Sequence, residues 1–201
     1  MIKIYGFDFI GTLDNKKEFF KIVASIFPTL DFRYKLIEKA YKDAKDAFRG
    51  KEREGGERYF EHLRAVALIL IIHLRARDYK LIVAALLHDI FEDIPSWTLK
   101  RITQEYGEEI AALVEWLSKP SKDGISDGRR EYIYHSRFAI APREFFMIKM
   151  ADRLHNLMTL DACPEEKRQR KIEETELCYL PYAEKHFILI HELEEVLRRL
   201  K

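Results

Sequence analysis

The sequence is short of several things, and each shortage closes off a class of protein. Only two cysteines, Cys163 and Cys178, occur in 201 residues. Neither sits in a CxxC or another metal-ligand spacing, and nothing points to a disulfide framework. There is no long apolar run. The longest, AVALILIIHL, falls far short of the ~20 residues a membrane-spanning helix needs. The opening MIKIYGFDFIGTLDN has no basic lead, no extended apolar stretch and no small-residue cleavage site, so it does not read as a secretory signal. A reducing, cytoplasmic setting is the expectation. Excess charge of one sign is also missing. Lys and Arg total 35 against 34 Asp and Glu, for a net charge of +1, so the whole molecule is drawn neither to nucleic acid nor to an anionic membrane. That balance still leaves room for a local basic patch around a small anion. No internal repeat and no low-complexity block interrupts the chain.

What is present is a core and helical periodicity. Hydrophobic residues make up 47% of the chain, enough to bury a sizeable interior and to argue against disorder. From Tyr34 onward, Leu36, Ile37, Ala40, Tyr41, Ala44 and Phe48 fall on one stripe at helical spacing. GKEREGGERY reads as a polar loop, FEHLRAVALILIIHL as a strongly apolar central helix, and DYKLIVAALLHDIFED as another that stops near Pro95. Ser96 is the expected N-cap of WTLKRITQEY, with Gly107 as its stop. EEIAALVEWLSK, EYIYHSRFAIA, REFFMIKMADRLHNLMTL and YLPYAEKHFILIHELEEVLRRL read as further helices, and PSKDGISDGRR as loop. Only the first residues differ. They alternate, are rich in Ile, Tyr and Phe, and predict a short strand and turn. The expected architecture is therefore an all-α helical bundle over residues 34–201, with residues 1–33 as an N-terminal appendage.

One stretch of that pattern turns from core to chemistry. AALLHDIFED begins as a buried helix and then delivers His88, Asp89, Glu92 and Asp93. On a continuous helix His88 faces Glu92 and Asp89 faces Asp93 at i, i+4. Buried carboxylates cost several kcal/mol unless paired or bound to a cation, and imidazole with carboxylate is ligand chemistry for a divalent first-row metal. A single His-Asp pair at an ordinary exposed helix end would carry little weight. Here MIKMADRLHNLMTL repeats the design with Asp152, His155 and Asn156, and His62 stands at the head of the most apolar helix. Three helices, each with polar residues at a mouth of the core, fit a metal cradle.

An isolated His, then His-Asp, then a distant Asp on successive helices resembles the HD phosphohydrolase superfamily. AFRGKEREGGERYFEHLRAVA, AALLHDIFED, LKRITQEYGEEIAALV and IKMADRLHNLMTL are similar, in order and spacing, to the hydrolase domain of the RelA/SpoT alarmone enzymes, and ETELCYLPYAEKH to that family's Tyr-x-Pro-x-Ala helix. The resemblance runs from about Leu36 to His186. It implies an HD-domain bundle in which His62, His88, Asp89 and Asp152 bind one metal, usually manganese, and Glu92 and Asp93 orient and activate the attacking water. It also implies that Arg53, Asn156 and Tyr179 line the nucleotide pocket, with Lys149 and Arg153 nearby as helix neighbours of Asp152. Basic residues at the rim, such as Arg49 and Lys51, suit an anionic substrate. The implied reaction is hydrolysis of a nucleotide carrying a 3′-diphosphate, such as ppGpp, to GDP or GTP and pyrophosphate. The alternatives are an HD-type phosphatase of another phosphorylated nucleotide, or a non-catalytic nucleotide-sensing module. A degenerate module would be expected to lose ligands or the acidic pair, and this chain keeps them all.

Several positions depart from the family pattern. Phe48 stands where histidine is common, Leu63 where proline is usual and Met158 where arginine is usual. The loop from Lys119 to Arg130 is also unlike the family's segment. The chain ends at Lys201, so no synthetase domain is expected to follow, and the resemblance is to the small single-domain alarmone hydrolases. The expected partner is a small nucleotide, with a homo-oligomer left open. A competing motif, GFDFIGTLDN, is similar to the nucleophile motif of haloacid dehalogenase-type phosphatases through Asp8, Gly11, Thr12 and Leu13. Ile10 occupies the position where those enzymes need a second aspartate, and no alternation of strands and helices follows to build their parallel sheet. Asp8 is therefore not expected to act as a nucleophile.

Overall fold

A computed structural model describes residues 1–12, 15–121 and 124–201. Leu13 of the dehalogenase-like motif lies outside the described residues, as do Lys122 and Asp123 of the expected loop. Among the described residues the chain is helical. The helices are α1 (Lys16–Ala24), α2 (Phe32–Ala47), α3 (Tyr59–Leu68), α4 (Tyr79–Leu87), α5 (Ile90–Asp93), α6 (Leu99–Tyr106), α7 (Glu108–Leu117), α8 (Asp127–Ser136), α9 (Arg143–Met158), α10 (Glu165–Glu174), α11 (Leu180–His186) and α12 (Ile190–Leu200). Two π-helical turns, Ile69–His73 and Thr175–Tyr179, extend α3 and join α10 to α11. Among the described residues no helix is long and apolar enough to cross a membrane.

The core is built where the sequence is apolar all round. In α4, Leu81 through Leu87 are all buried, as a helix without a polar face must be. Helix α4 packs against α2, α3, α7 and α9, and α3 also packs against α9. Helix α9 buries twelve residues, including Lys149, Asp152, Arg153 and His155. The polar side chains of three helices are thus carried into one interior.

Several sequence expectations change in detail. Among its described residues, 1–12, the opening segment forms no strand. Phe7 N–H donates to Ile4 O and Ile10 N–H to Phe7 O, a chain of i to i+3 turns, and Gly6 and Gly11 take the positive φ values of 82° and 90° that such turning requires. The buried set is accordingly Ile4, Phe7 and Ile10, a period of three rather than two. Helix α1 has an apolar face of Phe19, Phe20 and Val23 and an Asn15 cap accepting the Glu18 N–H. Helices α1 and α10 lie in segments where the sequence pattern did not predict them. Thr98, not Ser96, caps α6 by accepting the Arg101 N–H. Ser126 caps α8, which therefore begins inside the expected loop. The long final helix is two helices, separated by Phe187 and Leu189 in the left-handed region, each at φ 54°. The most consequential change is at His88 and Asp89, where the expected continuous helix breaks between α4 and α5.

Candidate metal centre and acidic pair

The break between α4 and α5 directs His88 inward. Its Nδ1 lies 2.7 Å from the Ala85 carbonyl. A carbonyl only accepts, so Nδ1 carries the hydrogen and the neutral ring leaves its Nε2 lone pair free. A parallel chain orients His62. Arg53 Nη1 lies 3.2 Å from His155 Nδ1, which lies 2.9 Å from His62 Nδ1. A guanidinium only donates, so His155 Nδ1 accepts and His62 Nδ1 donates, and His62 Nε2 is also left as a lone pair.

Both lone pairs face carboxylates. His62 Nε2 is 3.2 Å from Asp152 Oδ1 and 3.9 Å from Asp89 Oδ2. His88 Nε2 is 3.3 Å from Asp89 Oδ2 and 3.7 Å from Asp152 Oδ1, yet it is buried without a hydrogen-bond partner. Ligand atoms of His62, His88 and Asp89 all lie within 4.8 Å of one another. Three acceptors gathered at one site, with Asp152 Oδ1 beside both imidazoles, repel unless a positive charge sits among them. The donor set and the orphaned His88 Nε2 fit a divalent cation held by His62, His88, Asp89 and Asp152.

The electrostatics agree. Burial opposes charging His88, but Asp89 and Asp152 override it and push its imidazole up to about 10, so without a cation the site takes a proton instead. Burial lowers His62, and burial with the neighbouring His62 lowers His155 well below the usual range. Burial alone would raise Asp89, but the adjacent His88 holds it well below the ordinary carboxylate range. Asp152 is likewise low against its burial, chiefly through Lys149.

An outer layer fixes the ligands. Tyr59 donates its hydroxyl to Asp89 Oδ2 at 2.7 Å, Lys149 Nζ donates to Asp152 Oδ2 at 2.8 Å, and Asn156 Nδ2 donates to Asp152 Oδ1 at 2.6 Å. Arg53 Nη2 donates to Asn156 Oδ1 at 2.6 Å. Arg53 is brought there by a turned loop in which its own N–H donates to Glu57 O and Tyr59 N–H donates to Lys51 O. Phe48, at the position where the sequence departs from the family's histidine, stacks on Tyr59 with centroids 4.8 Å apart.

The acidic pair splits to two sides. Glu92 Oε1 accepts the Lys119 N–H at 2.8 Å and its Oε2 accepts from Arg130 Nη2 at 3.2 Å. Asp93 Oδ1 lies 2.7 Å from Lys51 Nζ. Of the residues expected to bind nucleotide, Arg53, Lys149 and Asn156 join the cluster. Arg153 and Tyr179 do not. Arg153 donates to Glu174 at 3.2 Å and lies 3.7 Å above the Tyr179 ring, and both are buried. His135 and Lys171 complete that second charged group around Glu174. Two clefts reach the region. One of 480 Å³ is lined by Ile10, Glu57, Arg64, His155 and Thr159. The other, of 870 Å³, is lined by Glu92, Trp116, Lys119, Arg130, Arg137 and Ile140. The roles of Tyr59 and His155 were not assigned from sequence. His155 stands one residue from Asn156 in a motif already singled out, whereas nothing local marks Tyr59 apart from its place three residues before His62.

The HD domain family model matches residues 40–188. The bifunctional (p)ppGpp synthase/hydrolase SpoT of Escherichia coli (strain K12) is 37% identical over 170 residues, covering 83% of this chain and 24% of that protein. A guanosine-3′,5′-bis(diphosphate) 3′-pyrophosphohydrolase of Haemophilus influenzae is 35% identical over 160 residues, covering 76% and 23%. A GTP pyrophosphokinase rsh of Brucella melitensis is 39% identical over 158 residues, covering 76% and 20%. The chain thus spans about a quarter or less of the length of these curated relatives. Among solved structures, a metazoan ortholog of SpoT described as hydrolysing ppGpp superimposes with a TM-score of 0.74 at 21% identity, covering 82% of this chain and 94% of that one. That likeness establishes the helical fold.

Proposed function

The chain belongs to the HD domain family, and from that premise we propose that it is a divalent-metal-dependent phosphohydrolase that removes the 3′-diphosphate of ppGpp or pppGpp as pyrophosphate, leaving GDP or GTP. The observation that carries the reading is the pair of imidazole lone pairs, His62 Nε2 and His88 Nε2, turned toward Asp89 and Asp152 at 3.2–3.9 Å with His88 Nε2 lacking a partner. The relatives named as ppGpp hydrolases supply the substrate. Manganese is the metal the family resemblance implies, and two imidazoles with two carboxylates suit a first-row divalent ion.

When bound, such an ion lowers the pKa of its water and offsets phosphate charge. The chain's own residues do the rest. Glu92 and Asp93 end the single turn that begins at Asp89, and one of them accepts the proton of the attacking water as oxygen bonds to phosphorus. The bond between that phosphorus and the 3′-oxygen breaks, and the 3′-oxygen takes up a proton. Arg53, held by His155 and Asn156 beside the metal-ligand cluster, is the cation placed to pair with the anionic nucleotide.

The test is purified protein with Mn²⁺ and a panel of phosphorylated nucleotides, with products separated by chromatography. Pyrophosphate and GDP are expected from ppGpp. Glu92→Gln and Asp93→Asn should keep the metal but lower turnover, by about 10²–10⁴-fold for the residue acting as base. Unchanged turnover in both would overturn the assignment of the acidic pair. Nucleotide binding without turnover in the wild type would favour the sensing module.

A further inference from the structure

We propose that the cleft between α5, α7 and α8 is a second phosphate-binding subsite, which takes a diphosphate group of the substrate on the far side of Glu92 from the metal ligands. This rests on the reading above, because the need for such a site follows from the substrate. A nucleotide with a diphosphate at each end brings more negative charge than one divalent ion offsets.

Most of the cations that the sequence points to are already engaged. Lys149 is buried against Asp152, Arg153 against Glu174 and Tyr179, and Lys51 against Asp93. Arg53 is tied to His155 and Asn156. The 870 Å³ cleft is different. Lys119, Arg130 and Arg137 all line it. Arg130 anchors one edge, donating through Nε to Pro120 O and through Nη2 to Glu92, which leaves further N–H donors on its guanidinium. Lys119 Nζ faces the Glu131 carboxylate at 3.7 Å, an ion pair without a hydrogen bond, which leaves its N–H donors unused there. Among the described residues no carboxylate pairs with the Arg137 guanidinium. The cleft's own acids are Glu92, already held by Lys119 N–H and Arg130, and Glu115, exposed at the rim. With Glu92 beside Arg130 and Glu131 facing Lys119, the three cations still keep donors that no described carboxylate takes, and a polyanion in the cleft they line can accept from them. Phe91, Leu99, Trp116 and Ile140 form an apolar wall beside them, with Ile140 79% exposed. The location fits as well, since α5 is a single turn and Glu92 on it lies three residues beyond Asp89.

The diphosphate could be either end of the substrate, and the experiment separates the two. Trp116 lies in the cleft wall, so its fluorescence, read in a Trp97→Phe background, reports on binding there without any turnover. Titrating inorganic pyrophosphate into EDTA-treated protein should give a saturable change that is weakened about tenfold or more by Arg137→Gln or Lys119→Ala, the size expected for one charge-assisted contact. In steady-state assays with Mn²⁺, Arg137→Gln should raise KM for ppGpp by a similar factor with kcat little changed. A KM rise that vanishes for a guanosine 3′-diphosphate lacking 5′-phosphates assigns the cleft to the 5′ end. A rise that persists assigns it to the 3′ end. Hydrolysis of ppGpp with both binding and KM indifferent to Arg137 and Lys119 would overturn the subsite while leaving the proposed function standing. Pyrophosphate binding that depends on Arg137, in a protein that hydrolyses none of the nucleotides, would do the reverse.

Discussion

His88 faces two carboxylates through a nitrogen that nothing in the protein satisfies, and at the scale of single residues this has a measurable consequence. Without metal the imidazole holds a proton up to about 10, against an ordinary value of 6.5. A raised value in the folded state stabilises fully below the unfolded value, and the contribution is lost as pH rises through the folded one. EDTA-treated protein should therefore lose thermal stability between about pH 7 and pH 10 from this group. A metal ion takes the proton's place, so Mn²⁺ binding should release a proton and tighten with rising pH over the same range. Thermal denaturation across pH with and without EDTA, together with Mn²⁺ titrations at several pH values, checks both. Metal affinity that is flat from pH 7 to 9 would mean that His88 is not a ligand. Asp152→Ala should abolish metal binding and leave Lys149 buried without its partner, at a further cost in stability.

At the scale of elements, the helices form where periodicity puts them and stop where side chains or backbone take over their hydrogen bonds. Helix α4 ends at Leu87, and the His88 imidazole beyond it donates to Ala85 O. One turn later Glu92 and Asp93 part toward Arg130 and Lys51. The i, i+4 relation of Asp89 and Asp93 survives in the backbone, where Asp93 N–H donates to Asp89 O. Between α11 and α12 the break instead rests on Phe187, which is left-handed at φ 54° and 86% exposed. A side chain there costs about 1–2 kcal/mol in backbone strain and buries little in return. Phe187→Gly should therefore raise the melting temperature by a few degrees, less what glycine loses in the unfolded chain. Calorimetry of the two proteins measures it, and a lower melting temperature would show that the exposed ring stabilises the corner in another way.

At the scale of the molecule, the N-terminal segment is part of the core. Ile2 N–H donates to Met158 O at 2.6 Å, close to the end of α9, and Phe7 lies 4.4 Å from the His73 ring. Phe7→Ala should cost about 3–5 kcal/mol, as for other fully buried aromatic side chains, and should lower the denaturation midpoint accordingly. Asp8, by contrast, is exposed, and its backbone carbonyl accepts from Thr12 Oγ1. Asp8→Asn should leave both stability and turnover with Mn²⁺ unchanged. A loss of turnover comparable to that of Glu92→Gln, in a folded protein, would revive the dehalogenase-like reading of the segment.

The sequence by itself determined the all-α class, the apolar helices at the centre and the polar residues at their mouths, because periodicity and the cost of burying a charge are local properties that a string of residues displays, while the choice of four candidate ligands among them came from the family resemblance. The same local logic marked Glu92, Asp93 and the motif around Asp152. Only the tertiary structure decided what those side chains meet. Residues far apart in sequence bring Tyr59 to Asp89, Arg53 to His155 and Arg130 to Glu92. Lys149 and Arg153 share a helix face at i, i+4, yet one meets Asp152 on its own helix and the other meets Glu174, a partner that α10 brings in and the motif does not display. The opening segment shows the same limit. Its Ile and Phe content predicted burial, but the alternation suggested a strand. A strand needs a partner edge to satisfy its backbone, and with none among the described residues the segment pairs the Phe7 and Ile10 N–H groups within its own turns, gives Ile2 N–H to Met158 O, and buries Ile4, Phe7 and Ile10 against the helices.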